Sequence, residues 1–127
     1  MNVKSFIFFL LTISFQQMTA QVKQMEIANF QGAHTADVVL IDVRTPEEFE
    51  GGHLKQAKNI DYRAPGFVKA VSKIDASKKI YLYCKAGGRS AKASKVLDSL
   101  GYTNVTNLDG GFDAWSESGG EVVKNKR

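Results

Sequence analysis

The sequence predicts a single α/β domain built on a mostly parallel sheet. Three observations predict it. Short runs of apolar or β-branched residues alternate with segments whose apolar residues recur at helical spacing. The run Val38-Val39-Leu40-Ile41 is continuous rather than alternating, as in a strand buried on both faces. The chain has 127 residues, enough for one domain and too few for two.

The elements follow in order. The first strand covers Val38 to Ile41 and ends at Asp42. Pro46-Glu47-Glu48-Phe49 is a short helix with Thr45 as its cap and Pro46 at its first position, and Gly51-Gly52 stops it. A short strand is expected at Asn59 to Tyr62. Pro65 to Ile74 carries apolar residues at 67, 68, 71 and 74, which predicts a helix. Lys79 to Tyr83 is the second long strand, rich in β-branched and aromatic residues. Cys84 to Arg89 is a tight loop with two glycines. Ser90 to Leu100 is a helix whose apolar face is Ala93, Val96, Leu97 and Leu100, and Gly101 ends it. Asn104 to Leu108 is a strand, and Gly110-Gly111 leads into a helix carrying Phe112 and Trp115.

The first 20 residues differ from the rest. Lys4 is their only charge, Phe6 to Phe15 is uncharged, and Ala20 is a small residue before Gln21. This pattern predicts a signal peptide over 1–20 and an exported, periplasmic protein. The apolar run is short of the ~20 residues of a spanning helix, so no membrane association is expected after cleavage. Met18 is large for a cleavage site, and an uncleaved anchor is the alternative. No cysteine follows the run, so there is no lipoprotein attachment site. The domain proper is expected over 21–121, followed by a basic tail at 122–127. Without Lys4 and the tail charges Lys124, Lys126 and Arg127, basic and acidic residues balance at 13 each. The high pI is therefore a property of the ends, and nothing argues for a nucleic-acid partner.

Cys84 is the only cysteine, which excludes an internal disulfide framework. Composition alone favours a buried small hydrophobe. The local sequence favours a reactive thiol. Cys84 lies where a strand ends and a helix begins, outside the carboxyl edge of the sheet where ligands bind. Unpaired N–H groups and the helix dipole favour negative charge there. Gly87 and Gly88 have the backbone freedom to turn N–H groups inward. A free thiol ionises at about 8.5, and a helix N-terminus with nearby cations lowers that value. Lys85 and Arg89 are the expected cations. Four residues separate Cys84 from Arg89. Cysteine phosphatases use a loop one residue longer, which surrounds a tetrahedral phosphate, whereas the shorter loop suits a single outer sulfur.

Four segments together resemble the rhodanese domain family: Leu40-Ile41-Asp42-Val43-Arg44; Glu47-Glu48-Phe49 with Gly52-His53-Leu54; Cys84-Lys85-Ala86-Gly87-Gly88-Arg89-Ser90; and Leu108-Asp109-Gly110-Gly111 with Trp115. The match covers roughly 25–121 and is similar to the stand-alone, single-domain members. It implies a five-stranded parallel sheet flanked by helices. It also implies a sulfurtransferase that takes sulfane sulfur from a small anionic donor such as thiosulfate. The sulfur is held as a persulfide and passed to cyanide, a thiol or a thioredoxin-like protein, with no metal or organic cofactor.

By position, Cys84 is the catalytic nucleophile. Lys85, Ala86, Gly87, Gly88, Arg89 and Ser90 bind the donor, with Arg89 also free to pair with a carboxylate. Arg44 is read first as a structural residue tying loops together through ion pairs; a substrate contact, which places it in the substrate-binding set, is its alternative. Asp42 and His53 are structural. Trp115 is core, and His34 has no assigned role. Lys55-Gln56-Ala57-Lys58 replaces a small glycine-containing turn common in the family, and Asp61-Tyr62 stands where proline is frequent. Two other function classes stay open. One is a non-catalytic module for partner binding or redox sensing, and the other is a phosphatase or arsenate reductase.

Overall fold

The computed structural model describes residues 21–125, so the expected signal peptide and the tail residues Lys126 and Arg127 lie outside the described residues. Five strands form one wholly parallel sheet: β1 (Lys23–Glu26), β2 (Val38–Asp42), β3 (Lys58–Asn59), β4 (Lys79–Tyr83) and β5 (Val105–Asp109). Their spatial order is β1-β5-β4-β2-β3. The helices are α1 (Pro46–Glu50), α2 (Phe67–Val71), α3 (Gly88–Ser99) and α4 (Gly111–Glu117), with one turn of 3-10 helix at Ile27–Asn29.

The central strands are buried on both faces because successive side chains point to opposite sides. Ile41, Val43, Ile80, Leu82 and Val105 pack with Phe67 and Val71 of α2 and with Ala93 and Leu97 of α3. Leu40, Tyr83 and Leu108 face the other way and pack with Ile27, Phe30 and Leu54, flanked by Phe112 and Trp115 of α4. Two helical layers around a parallel sheet leave one functional edge, the carboxyl ends of β2, β4 and β5.

Three boundaries differ from expectation. β1 has no apolar alternation, being Lys-Gln-Met-Glu on a mostly exposed edge, and register with β5 alone makes it a strand. The strand expected at 59–62 pairs only at Lys58 and Asn59; beyond it Ile60 and Tyr62 donate singly to the Asp42 and Val43 carbonyls. The fold also continues past 121. Val123 and His53 exchange backbone hydrogen bonds of 2.9 Å in each direction, so the first residues of the expected tail belong to the folded body. In the unusual turn at 55–58, Gln56 adopts φ 67°, a left-handed conformation that glycine would take more readily.

Candidate active site

β4 ends at Tyr83, and Cys84 begins a loop that runs directly into α3 at Gly88. Cys84 is 1% exposed. The Gly87 N–H donates to its Sγ at 3.0 Å. Gly87 has φ 119°, and a Cβ there would meet the Asp109 carboxylate at 3.4 Å. Gly88 is different: its φ is ordinary and a Cβ would meet nothing within 4 Å. The expectation that both glycines supply unusual backbone angles is therefore corrected. Gly87 does so, and Gly88 is the first helical residue of α3.

The loop is held from behind by α4. The Phe112 N–H donates to the Cys84 carbonyl at 2.8 Å, and the Asp113 N–H donates to the Lys85 carbonyl at 3.0 Å. Peptide planarity then turns the N–H groups of Lys85 and Ala86 the opposite way. This close approach requires glycine at 111. A Cβ there would lie 2.6 Å from the Cys84 carbonyl oxygen and from the Lys85 carbonyl group, at φ 63°. Gly111 thus lets the first turn of α4 clamp the cysteine loop.

Ser90, on the first turn of α3, completes the thiol's surroundings. The Cys84 thiol donates to Ser90 Oγ at 3.5 Å, and the Ser90 hydroxyl donates to the Gly87 carbonyl at 3.2 Å. When the thiol loses its proton, the same hydroxyl is within reach to donate to sulfur. Burial pushes the Cys84 thiol up, but Ser90 and the N–H groups of Ser90, Gly87 and Ala86 outweigh it, and the thiol ionises below its ordinary value.

The two expected cations are not free. Arg89 makes a bidentate pair with Glu48, at 2.7 and 3.0 Å. Lys85 Nζ pairs with Asp113 at 2.8 Å. Hydrogen-bond donors rather than unpaired cations thus account for the acidic thiol. Glu48 was not assigned a role by sequence, although Thr45 and Glu48 three residues apart are the signature of a capping box. That box forms: the Glu48 N–H donates to Thr45 Oγ1, and the Thr45 N–H to Glu48 Oε1, each at 3.3 Å. One carboxylate therefore caps α1 and anchors the arginine of α3. The Arg89 guanidinium holds it down to about 2, against burial. Asp113 was also missed, because its partner Lys85 lies 28 positions earlier.

Arg44 takes the ion-pairing role, and its alternative assignment to the substrate-binding set is corrected. Arg44 is 3% exposed, and its guanidinium donates to both Asp42 carboxylate oxygens and to the Gly52 carbonyl, the last at 2.7 Å. It lies 4.3 Å from the Phe112 ring centroid. A side chain enclosed in this way ties β2 to the turn after α1 and is not presented to a substrate. Asp42 is its buried partner. His53 stacks on Phe49 with ring centroids 3.7 Å apart, and its Nδ1 lies 2.9 Å from the Phe49 carbonyl oxygen. Both act on the framework. His34 lines a groove with Phe30 and Trp115 that includes no residue of the cysteine loop.

Comparison with known proteins agrees with this geometry. A family model described as the rhodanese-like domain matches residues 26–118. The uncharacterized protein YqhL of Bacillus subtilis is 41% identical over 87 residues, covering 68% of this chain and 65% of its own length. The thiosulfate:glutathione sulfurtransferase of Saccharomyces cerevisiae is 34% identical over 103 residues, covering 72% of this chain and 74% of that protein. Among solved structures, a rhodanese-related protein from Thermoplasma volcanium superposes with a TM-score of 0.64 at 30% identity, covering 70% of this chain and 86% of that one.

Proposed function

Because the chain belongs to the rhodanese-like domain family, we propose that it is a sulfurtransferase that takes sulfane sulfur from thiosulfate or a related donor and carries it on Cys84. The observation that carries this reading is the contact between Cys84 Sγ and the Gly87 N–H, inside a loop whose Cys84 and Lys85 carbonyls are held from behind by α4.

The reaction has two displacements. The Cys84 thiolate attacks the outer sulfur of thiosulfate. A sulfur–sulfur bond forms to Cys84 as the one within thiosulfate breaks, and sulfite leaves with the bonding pair. The enzyme then holds a persulfide anion. An acceptor attacks the terminal sulfur: cyanide leaves as thiocyanate, a thiolate leaves as a persulfide, and the Cys84 thiolate is restored. The inward N–H donors stabilise negative charge on the transferred sulfur in a site shielded from water. The Ser90 hydroxyl supplies one more donor to the ionised sulfur. A thiol or a thioredoxin-like protein is the natural class of acceptor. The apolar, weakly charged residues 1–20 support export of the domain, tested by the N-terminal mass of the mature protein.

The test is direct. The protein is incubated with thiosulfate, its intact mass is recorded, and cyanide is then added and thiocyanate assayed, with Cys84→Ser alongside. A gain of one sulfur atom that cyanide removes and the variant never acquires supports the relay. No gain from thiosulfate, mercaptopyruvate or polysulfide, with the thiol verified as reduced, would sink it.

A further inference from the structure

Asp113 is joined to Lys85 twice. Its backbone N–H donates to the Lys85 carbonyl at 3.0 Å, and its carboxylate receives Lys85 Nζ at 2.8 Å. The ammonium of the residue next to the nucleophile is thereby drawn onto α4. The other cation of the loop, Arg89, is held in its bidentate pair with Glu48. A further carboxylate, Asp109, stands beside Gly87. Among the described residues, both cations of the cysteine loop are thus paired. Attraction to the donor falls on the backbone N–H groups, which suit one anionic atom better than a multiply charged group.

We propose that Asp113 determines donor specificity by holding Lys85 away from an incoming donor, which biases the loop towards sulfur donors of low charge over dianions such as thiosulfate. This rests on the sulfurtransferase reading and deepens it. Both side chains are about half exposed, at 59% for Lys85 and 45% for Asp113, so the pair exchanges with water and its effect is graded. Asp113 acts through Lys85, as a positioning residue, and touches no reacting atom.

Two readouts test the proposal on Asp113→Asn, Asp113→Glu, Lys85→Gln and the double variant Asp113→Asn/Lys85→Gln. The first compares kcat/KM for thiosulfate, a dianion, with that for benzenethiosulfonate, a monoanion carrying the same outer sulfur. The second compares the alkylation rate of Cys84 by iodoacetate, which is charged, with that by iodoacetamide, which is neutral. The second ratio reads the potential at the sulfur without any sulfur transfer.

Asp113→Asn is expected to raise both ratios by about threefold, chiefly through KM, and more at low ionic strength. Asp113→Glu is expected to stay near the parent protein. In the Lys85→Gln background the Asp113→Asn gain should vanish. A gain that persists without Lys85 overturns the proposal, because Asp113 would then act by its own charge. Equal changes for charged and neutral reagents overturn it as well. If the alkylation ratios follow the proposal while no donor yields a persulfide in any protein, the holding of Lys85 stands and the sulfurtransferase reading falls.

Discussion

Replacing Gly111 by alanine adds one methyl group at a point where the structure has no room for it. The new Cβ would lie 2.6 Å from the Cys84 carbonyl oxygen and from the Lys85 carbonyl group, all backbone atoms with no rotamer to escape into. It would also sit at φ 63°, which costs a non-glycine residue about 1 kcal/mol. Relieving the clash means lifting α4 off the loop, which breaks the Phe112 and Asp113 hydrogen bonds at 2.8 and 3.0 Å. Each is worth about 1 kcal/mol net. The predicted loss is therefore about 3 kcal/mol, measured as a shift of the urea unfolding midpoint at unchanged slope. The surviving folded protein should also show a raised thiol pKa, followed by thiolate absorbance against pH, since the inward N–H groups lose their anchor. Gly88→Ala is the matched control. It has an ordinary φ and open space, so stability should stay within about 0.5 kcal/mol of the parent. If Gly111→Ala unfolds like the parent and its thiol titrates unchanged, the clamp has no role.

Other consequences follow from the same geometry. Ser90→Ala removes a donor to the ionised sulfur, so the Cys84 pKa should rise in the absorbance titration, without loss of fold. Glu48 titrates lower in the folded chain than in the unfolded one. Its contribution is therefore complete above the ordinary carboxylate range and disappears as pH falls through about 2. Glu48→Gln should flatten the acid limb of the stability curve and cost on the order of 1–2 kcal/mol at neutral pH, discounted for its partial exposure, as read by denaturant titration. Arg44→Lys breaks the bidentate geometry of a buried pair and should cost about 3 kcal/mol, while KM for a sulfur donor in the folded protein stays unchanged. A raised KM would return Arg44 to the substrate-binding set.

The parts legible in the sequence were those written locally. The runs 38–42 and 79–83 lie at the centre of the sheet and are buried on both faces, so their composition announced them. The capped start of α1 and the glycine after the cysteine loop's alanine were legible because caps and tight turns use few residue types. β1 was not, since its existence depends on hydrogen bonds to β5 more than eighty residues away. The position of Cys84 at a strand-to-helix junction identified the site, but the source of its acidity did not follow from composition. Lys85 and Arg89 are cations in the sequence and members of ion pairs in the fold. Only the tertiary structure brings Glu48 and Asp113 to them. Arg44 was ambiguous for the same reason: a charge at the end of a strand reads alike whether it faces solvent or is enclosed against Phe112.

The clamp on the cysteine loop also orders events in time. Cys84 emerges with β4, in the middle of the chain, but the N–H groups that hold its carbonyls in place belong to Phe112 and Asp113, near the end. A chain still being made or threaded has its nucleophile well before it has the brace that completes the nucleophile's surroundings. Until α4 docks, the carbonyls of Cys84 and Lys85 lack these partners, and the loop around the sulfur is unbraced. The structured surroundings of the sulfur therefore arrive only with completion of the domain: an unfinished or clipped chain carries the cysteine without the braced loop.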